Sequence, residues 1–257
     1  MQVLLCPLFT VHRRLANHKI YQKISSRKLH GVGPLTPLLY AESCYYTKAL
    51  QFTIEGIHSL GIPWLGTFVL SGVLFRIATL PLHVYAERLS AERYRVVNTL
   101  NFELIKLSRI QYLRFCAVSV WTFSSFAIRN VISSETDYLF KGILWFPDLL
   151  EPDPYCVIPV SVGIIGIFNY FAQQHIYGYG SVKLMRVIGV FYSLTMIFGI
   201  YFMSYMPVCI PLFWSAVSLT GSIQHFAFRH PKIKELLNIK PLPSDSTTPV
   251  RDFLLFK

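Results

Sequence analysis

From position 187 to position 228 the sequence contains no Asp, Glu, Lys or Arg. At 1.5 Å per residue a single helix over that stretch would be roughly 63 Å long, about twice the hydrocarbon thickness of a bilayer. Pro207 and Pro211 in MPVCIP mark a place to turn, because proline interrupts a continuing helix. The stretch therefore reads as two membrane crossings, 187–206 and 208–228. Composition agrees: 14% of the residues are charged and 53% are hydrophobic, with mean hydropathy +0.44, whereas a soluble domain carries about 25% charged residues. The chain is expected to be an integral membrane protein.

Three further crossings follow from the same criterion. GIHSLGIPWLGTFVLSGVLF is uncharged and places a first span at about 57–80. YCVIPVSVGIIGIFNYF, introduced by the EPDP turn signal, places another at 155–174, with Gly163 and Gly166 suited to close helix packing. The weakest candidate is FCAVSVWTFSSFAI between Arg114 and Arg129. Its apolar part covers only about 21 Å, but both arginines can carry their charged heads to the interfaces, giving a span at about 112–132. The expected fold is all-α: five transmembrane helices within a core at 56–228, with a helical hairpin at 83–111 lying on the membrane surface.

Charge supports this count and sets the orientation. Segment 87–114 carries Arg88, Arg93, Arg95, Lys106, Arg109 and Arg114, the connection near 183 carries Lys183 and Arg186, and the tail 229–257 carries six more cations. The loop 133–153 has Lys141 alone against Glu135, Asp137, Asp148, Glu151 and Asp153. Five spans place the cationic segments on one side, as the positive-inside rule requires. That distribution accounts for the net charge of +11 better than a nucleic-acid-binding face does.

Before the first acid, Glu42, the leader holds Arg13, Arg14, Lys19, Lys23, Arg27 and Lys28, with Ser25 and Ser26 among them. A basic, acid-free, hydroxyl-bearing leader (1–47) is the mitochondrial transit pattern. The inside is then the matrix, and the C-terminus faces it. Cys6, Cys44, Cys116, Cys156 and Cys209 show neither CxxC nor CxxxC spacing, so no zinc or paired-thiol site is expected.

Arg76 sits inside GVLFRIATLPL, where a charge costs roughly 2.5–3.5 kcal/mol at a helix centre by insertion scales. Two readings are open. The arginine reaches the nearby interface along its long stem, or it stands in a wet groove with Thr79, Thr122 and Ser125 as further polar walls. The acids Asp148, Glu151 and Asp153 also have two readings: markers of an outer loop, or a docking surface for partner proteins in the intermembrane space.

An apolar helix ending in Arg76 and TLPL, followed by a basic hairpin, resembles the first core span of the YidC-type membrane insertases. WTFSSFAIRN, GILWFPDLLEPDP and IPVSVGIIGIFN resemble the mitochondrial branch devoted to cytochrome c oxidase assembly, and PLFWSAVSLTGSIQHFAFRHP resembles that branch's last span. The resemblance implies a multi-pass protein of the mitochondrial inner membrane, with a polar groove open to matrix and lipid and closed toward the intermembrane space, and Arg76 as the groove arginine. Hydrophilic passenger segments would enter that groove while a neighbouring apolar segment slides into membrane lipid. Cytochrome c oxidase subunit two, through its C-terminal domain, and other hydrophobic inner-membrane proteins are the implied passengers, and oxidase assembly factors in the intermembrane space the implied partners of the acidic loop. No cofactor is implied, and the sequence has no GxxxxGK[ST] phosphate loop. The short tail, broken by Pro241, Pro243 and Pro249, cannot make the long basic helix of the ribosome-bound relative, so stable ribosome binding is not expected. Rival classes are a passive assembly scaffold and a small-solute transporter; an enzyme is disfavoured because the spans hold no paired carboxylates.

Overall fold

The computed structural model describes residues 36–97, 104–134, 140–176, 182–243 and 245–254. Helix α1 (Thr36–Ser43) leads into α2 (Tyr45–Ser59), then α3 (Trp64–Ala78), α4 (Leu80–Val97) and α5 (Leu104–Ser134). Strands β1 (Lys141–Ile143) and β2 (Phe146–Asp148) precede α6 (Val157–Ile176), α7 (Val182–Met203) and α8 (Cys209–Ala227). The tail adds α9 (Pro231–Leu236) and α10 (Pro249–Leu254). Most of the leader, 1–35, and the tip of the expected surface hairpin, 98–103, lie outside the described residues.

Among the described residues, two helical segments are long and apolar enough to cross a membrane, Tyr112–Ser134 in α5 and Arg186–Met203 in α7. The pair Trp64–Ala78 and Leu80–Tyr94, bent by 43°, makes a third if taken as one span, and Val157–Ala172 in α6 is a shorter apolar helix. In α8, Ser215, Ser218, Thr220, Ser222 and Gln224 dilute the apolar surface. The molecule is thus a helical membrane protein with two to three candidate spans by length and composition.

The stretch 57–80 is not one helix, as uninterrupted hydropathy suggested. Gly61 adopts φ 86°, a conformation that costs glycine little, and Pro63 follows as the N-cap of α3. His58 Nδ1 donates to the Ile62 carbonyl at 2.7 Å and its ring stacks on Trp64 at 3.8 Å, which fixes the corner. Helix α2 is therefore a separate element whose buried Ile54 and Ile57 form its inner face. Helix α5, by contrast, runs for 31 residues without a break, about 46 Å. It joins one arm of the expected surface hairpin to the second expected span.

Helix α8 is the centre of the bundle: α3 and α6 pack along it, α2 and α4 pack along α5, and α7 packs along α6. Helices α3 and α8 approach closely at Gly72, where an added Cβ would stand 3.1 Å from the Phe213 carbonyl oxygen and the Ala216 Cβ. The bundle has two dissimilar ends. At the end where α3 begins, Trp64, Phe68 and Phe140 stack with centroids 5.1–6.4 Å apart. Phe146, Leu149, Ile128, Val131, Val208 and Phe213 complete this core. The β1–β2 hairpin, with Lys141 opposite Asp148 and Ile143 opposite Phe146, sends Phe146 into the packed interior while its tip stays exposed. Leu149 O and Glu151 O accept from Cys209 N and Val208 N at 3.2 and 3.0 Å, tying the loop to the start of α8.

Beyond α8 the tail turns back on the bundle. Lys234 pairs with Asp245, and Ser246 N donates to the Arg229 carbonyl at 3.2 Å. Ser246 also donates to Asp252, which holds the Asp252 carboxyl below its usual pKa. Phe253 of α10 packs edge-on to Phe168 at 5.0 Å and Phe226 at 5.8 Å.

Candidate functional site

At the opposite end of the bundle the helices diverge around a cavity of about 410 Å³. Arg76 reaches it from the last turn of α3, and Arg114 and Trp121 from α5. His83, Ala86 and Glu87 come from α4, Asn169 from α6 and Tyr192 from α7. Helix α8 contributes Ser218, Gly221, Gln224 and His225. Thr79, which receives the amides of Leu82 and His83 on its carbonyl at 3.1 and 3.3 Å, stands at the α3–α4 bend. Pro81 just beyond it supplies the cause of the bend.

Arg76 is half-buried, and its position is specified from α8. Its Nε donates to Gln224 Oε1 at 2.9 Å. One turn earlier, a Cβ on Gly221 would come within 3.3 Å of Arg76 Nη2, so the guanidinium lies against bare helix backbone. Gln224 is neutral, so it orients the guanidinium without cancelling its charge. Glu87 is the one carboxylate among the described lining residues, against Arg76 and Arg114. The cavity is therefore a cationic, hydrogen-bonding space inside an otherwise apolar bundle, and the low dielectric around it strengthens its field.

A second polar connection closes the α6 side. Asn169 Nδ2 donates to the Ser218 carbonyl at 3.0 Å, and Ser222 Oγ donates to Asn169 Oδ1 at 2.7 Å. Asn169 is thereby satisfied on both amide atoms while remaining at the cavity wall. Above the cavity, Trp121 and Trp214 lie 5.1 Å apart, and Trp214 Nε1 donates to Ser125 Oγ at 2.9 Å. These rings separate the polar end from the aromatic core.

No family model matches the chain. Curated relatives do. It is 29% identical over 259 residues to the human mitochondrial cytochrome c oxidase assembly protein COX18, covering 80% of this chain and 77% of that one. The mouse protein of the same name is 29% identical over 265 residues, covering 82% and 79%. The mitochondrial inner membrane protein OXA1 of Arabidopsis thaliana is 25% identical over 257 residues, covering 86% of this chain and 58% of that one. The chain is thus similar to the YidC-type insertases, in their cytochrome c oxidase assembly branch.

The expected groove residues fall in unequal places. Arg76 borders the cavity. Thr79 is buried, with its hydroxyl donating to Phe75 O at 3.1 Å and Arg76 O at 3.0 Å; it faces a small crevice beside Arg76 and Trp121. Thr122 is exposed and bonded to Val118 O, away from the cavity lining. Ser125 is occupied by Trp214 and Trp121 O. The polar wall is built by Asn169, Ser218 and Gln224 instead. Their sequence signal is a lone amide in an apolar run for Asn169, IFNYF, and a cluster of hydroxyl and amide residues for Ser218 and Gln224, SLTGSIQHF.

The acidic loop also divides. Asp153 is not available as a docking group: it is 1% exposed. Its Oδ1 accepts from Trp145 Nε1 at 3.0 Å and Tyr155 N at 3.1 Å, and its Oδ2 from Ile158 N at 2.8 Å. It caps the start of α6 and locks the hairpin to it. Asp148 Oδ1 accepts from Leu150 N at 2.8 Å, a local turn. Glu151 is exposed. Among the described residues, no group of three or more His, Cys, Asp or Glu could hold a metal ion.

Proposed function

We propose that this protein is a mitochondrial inner-membrane insertase acting in cytochrome c oxidase assembly. The observation that carries this reading is the half-buried Arg76, oriented by Gln224 at the edge of a cationic cavity, in a bundle whose other end is filled with aromatic rings. A water-accessible pocket closed at one end lets a hydrophilic segment enter the membrane partway without exposing its polar groups to lipid. The remaining distance to cross is then shorter and thinner than the full bilayer.

In this reading the core at 56–228 makes five crossings: the bent α3–α4 pair, α5, α6, α7 and α8. The leader 1–47 is a transit segment, the cavity and the tail 229–257 face the matrix, and the loop 133–153 faces the intermembrane space. The positive-inside distribution supports that orientation. A passenger's polar segment meets Arg76, Arg114 and the amides of Asn169 and Gln224, while its apolar segment leaves sideways into lipid. Burial of that apolar segment drives the reaction, helped by the membrane potential at about 2.3 kcal/mol per charge per 100 mV. The passenger we favour is cytochrome c oxidase subunit two, whose C-terminal domain must be exported after synthesis.

A scaffold reading draws on one observation, the exposed apolar tip of the hairpin at Ile143 and Leu144, which suits docking to another protein. Protease accessibility of the subunit two C-terminal domain in mitoplasts separates the two. With the protein absent, the insertase reading expects that domain to stay protected in the matrix, and wild type to restore its export. Normal export with failed oxidase assembly would instead favour the scaffold.

A further inference from the structure

Helix α4 has two working faces. His83, Ala86 and Glu87, at i, i+3 and i+4, form one wall of the cavity. About a quarter turn around the same helix, Val84, Arg88 and Ala91 meet the C-terminal tail. Arg88 Nε and Nη2 both donate to the Leu237 carbonyl, at 2.9 and 2.6 Å. Ala91 is buried with Ile239 and Leu242, and Val84, Tyr94 and Leu237 pack against them. Lys240 and Glu92 pair at 3.5 Å across the rim.

The tail is itself anchored at both ends of this contact. On the near side it leaves α8 through α9, where Lys234, 2% exposed, pairs with Asp245 and Ile239 N donates to Lys234 O at 2.8 Å. On the far side Phe253 sits between Phe168 of α6 and Phe226 of α8. Asn238, at φ 51°, turns the chain so that the Leu237 carbonyl points to Arg88 while Ile239 enters the cluster.

We propose that Arg88 and the tail segment 237–254 are positioning elements for the groove: the tail straps α4 to the core and so sets where the α4 wall of the cavity stands. The inference rests on the insertase reading for its consequence, but its structural half is independent of it. Helix α4 is joined to α3 through a bend at Thr79 and Pro81 and packs on α5; the tail adds a further attachment, on the face that carries Arg88. Anything that loosens the tail widens or misplaces the matrix-side mouth without touching Arg76.

The test uses the full chain reconstituted in phosphatidylcholine–cardiolipin vesicles, with two substitutions at opposite ends of the strap. Arg88→Met removes both donors and keeps the stem; Phe253→Ala undocks the distal end and leaves α4 untouched. Hydrogen exchange across 84–94 is read alongside insertion of a single-span passenger with a hydrophilic tail. Both variants are expected to speed exchange of α4 by about tenfold, a local opening, with α3 and α8 unchanged and insertion reduced several-fold. Unchanged α4 exchange in both variants would overturn the strap. Faster α4 exchange with full insertion would overturn its role in positioning the groove. If Arg88→Met loosens the whole core, Phe253→Ala decides alone. A wild-type chain that inserts no passenger would count against the insertase reading and leave the exchange result standing.

Discussion

The two ends of the bundle are built from the same helices and differ in what fills them. Along α3, Phe68 and Arg76 are eight residues and about 12 Å apart, yet one is completely buried among rings and the other edges a cavity. Along α8, Phe213 belongs to the aromatic core and Gln224 to the polar wall. The hairpin end is sealed by three layers at once: the stacked rings, the β1–β2 loop, and the Asp153 cap beneath it. The arginine end has no comparable plug among the described residues. Its helices are joined by hydrogen bonds between polar side chains, Arg76 to Gln224 and Ser222 to Asn169. Shape persistence thus comes from apolar packing at one end and from paired polar groups at the other.

Substitutions can break this contrast on either side. The largest stability loss is expected at the sealed end: Phe68→Ala should cost about 3–5 kcal/mol, the range for emptying an aromatic site in a packed core, read by denaturant unfolding in mixed micelles. Asp153→Ala should come next, at about 2 kcal/mol, since it orphans the Trp145 indole and uncaps α6. Its signature would be a red-shifted Trp145 emission as the ring becomes wet. At the open end the ranking reverses between stability and activity. Gln224→Glu keeps an acceptor for Arg76 Nε and adds a compensating charge at a buried position, where attraction and desolvation oppose each other, so stability should change by less than about 3 kcal/mol. Passenger insertion should nonetheless fall several-fold because the net charge of the cavity drops. Smallest of all, Thr122→Val should change neither stability, within about 0.5 kcal/mol, nor insertion. A clear insertion defect there would move the groove to a different face of α5.

Some of this contrast is visible in the sequence and some is not. Arg76 stands out because a charge within an apolar run is costly enough to demand a purpose. The partner that orients it does not, since Gln224 is 148 positions away and becomes meaningful only when α3 and α8 pack side by side. Thr122 and Asn169 look equivalent as polar residues in apolar helices; packing turns one outward and the other to the cavity wall. The corner at Gly61–Pro63 is hidden from hydropathy, which registers side chains and not backbone conformation. Asp148, Glu151 and Asp153 read alike as loop acids, and only the convergence of Trp145 and the α6 amides singles out Asp153 as an internal cap. Gly163, by contrast, is legible: its expected role in close packing corresponds to a backbone so near α7 that a Cβ would fall 2.3 Å from Ile200 Cδ1.

The most direct measurement is site-specific photocrosslinking of a translocating passenger in intact mitochondria. Photoreactive side chains would replace Val118 and Val217 at the cavity, and Phe68 and Val208 in the aromatic core. A passenger arrested partway should crosslink from positions 118 and 217 and not from 68 or 208. It should lose those crosslinks when Arg76→Ala is introduced. Crosslinks of equal strength from both ends, or from the core positions alone, would contradict a one-ended groove and the path for the passenger that it implies.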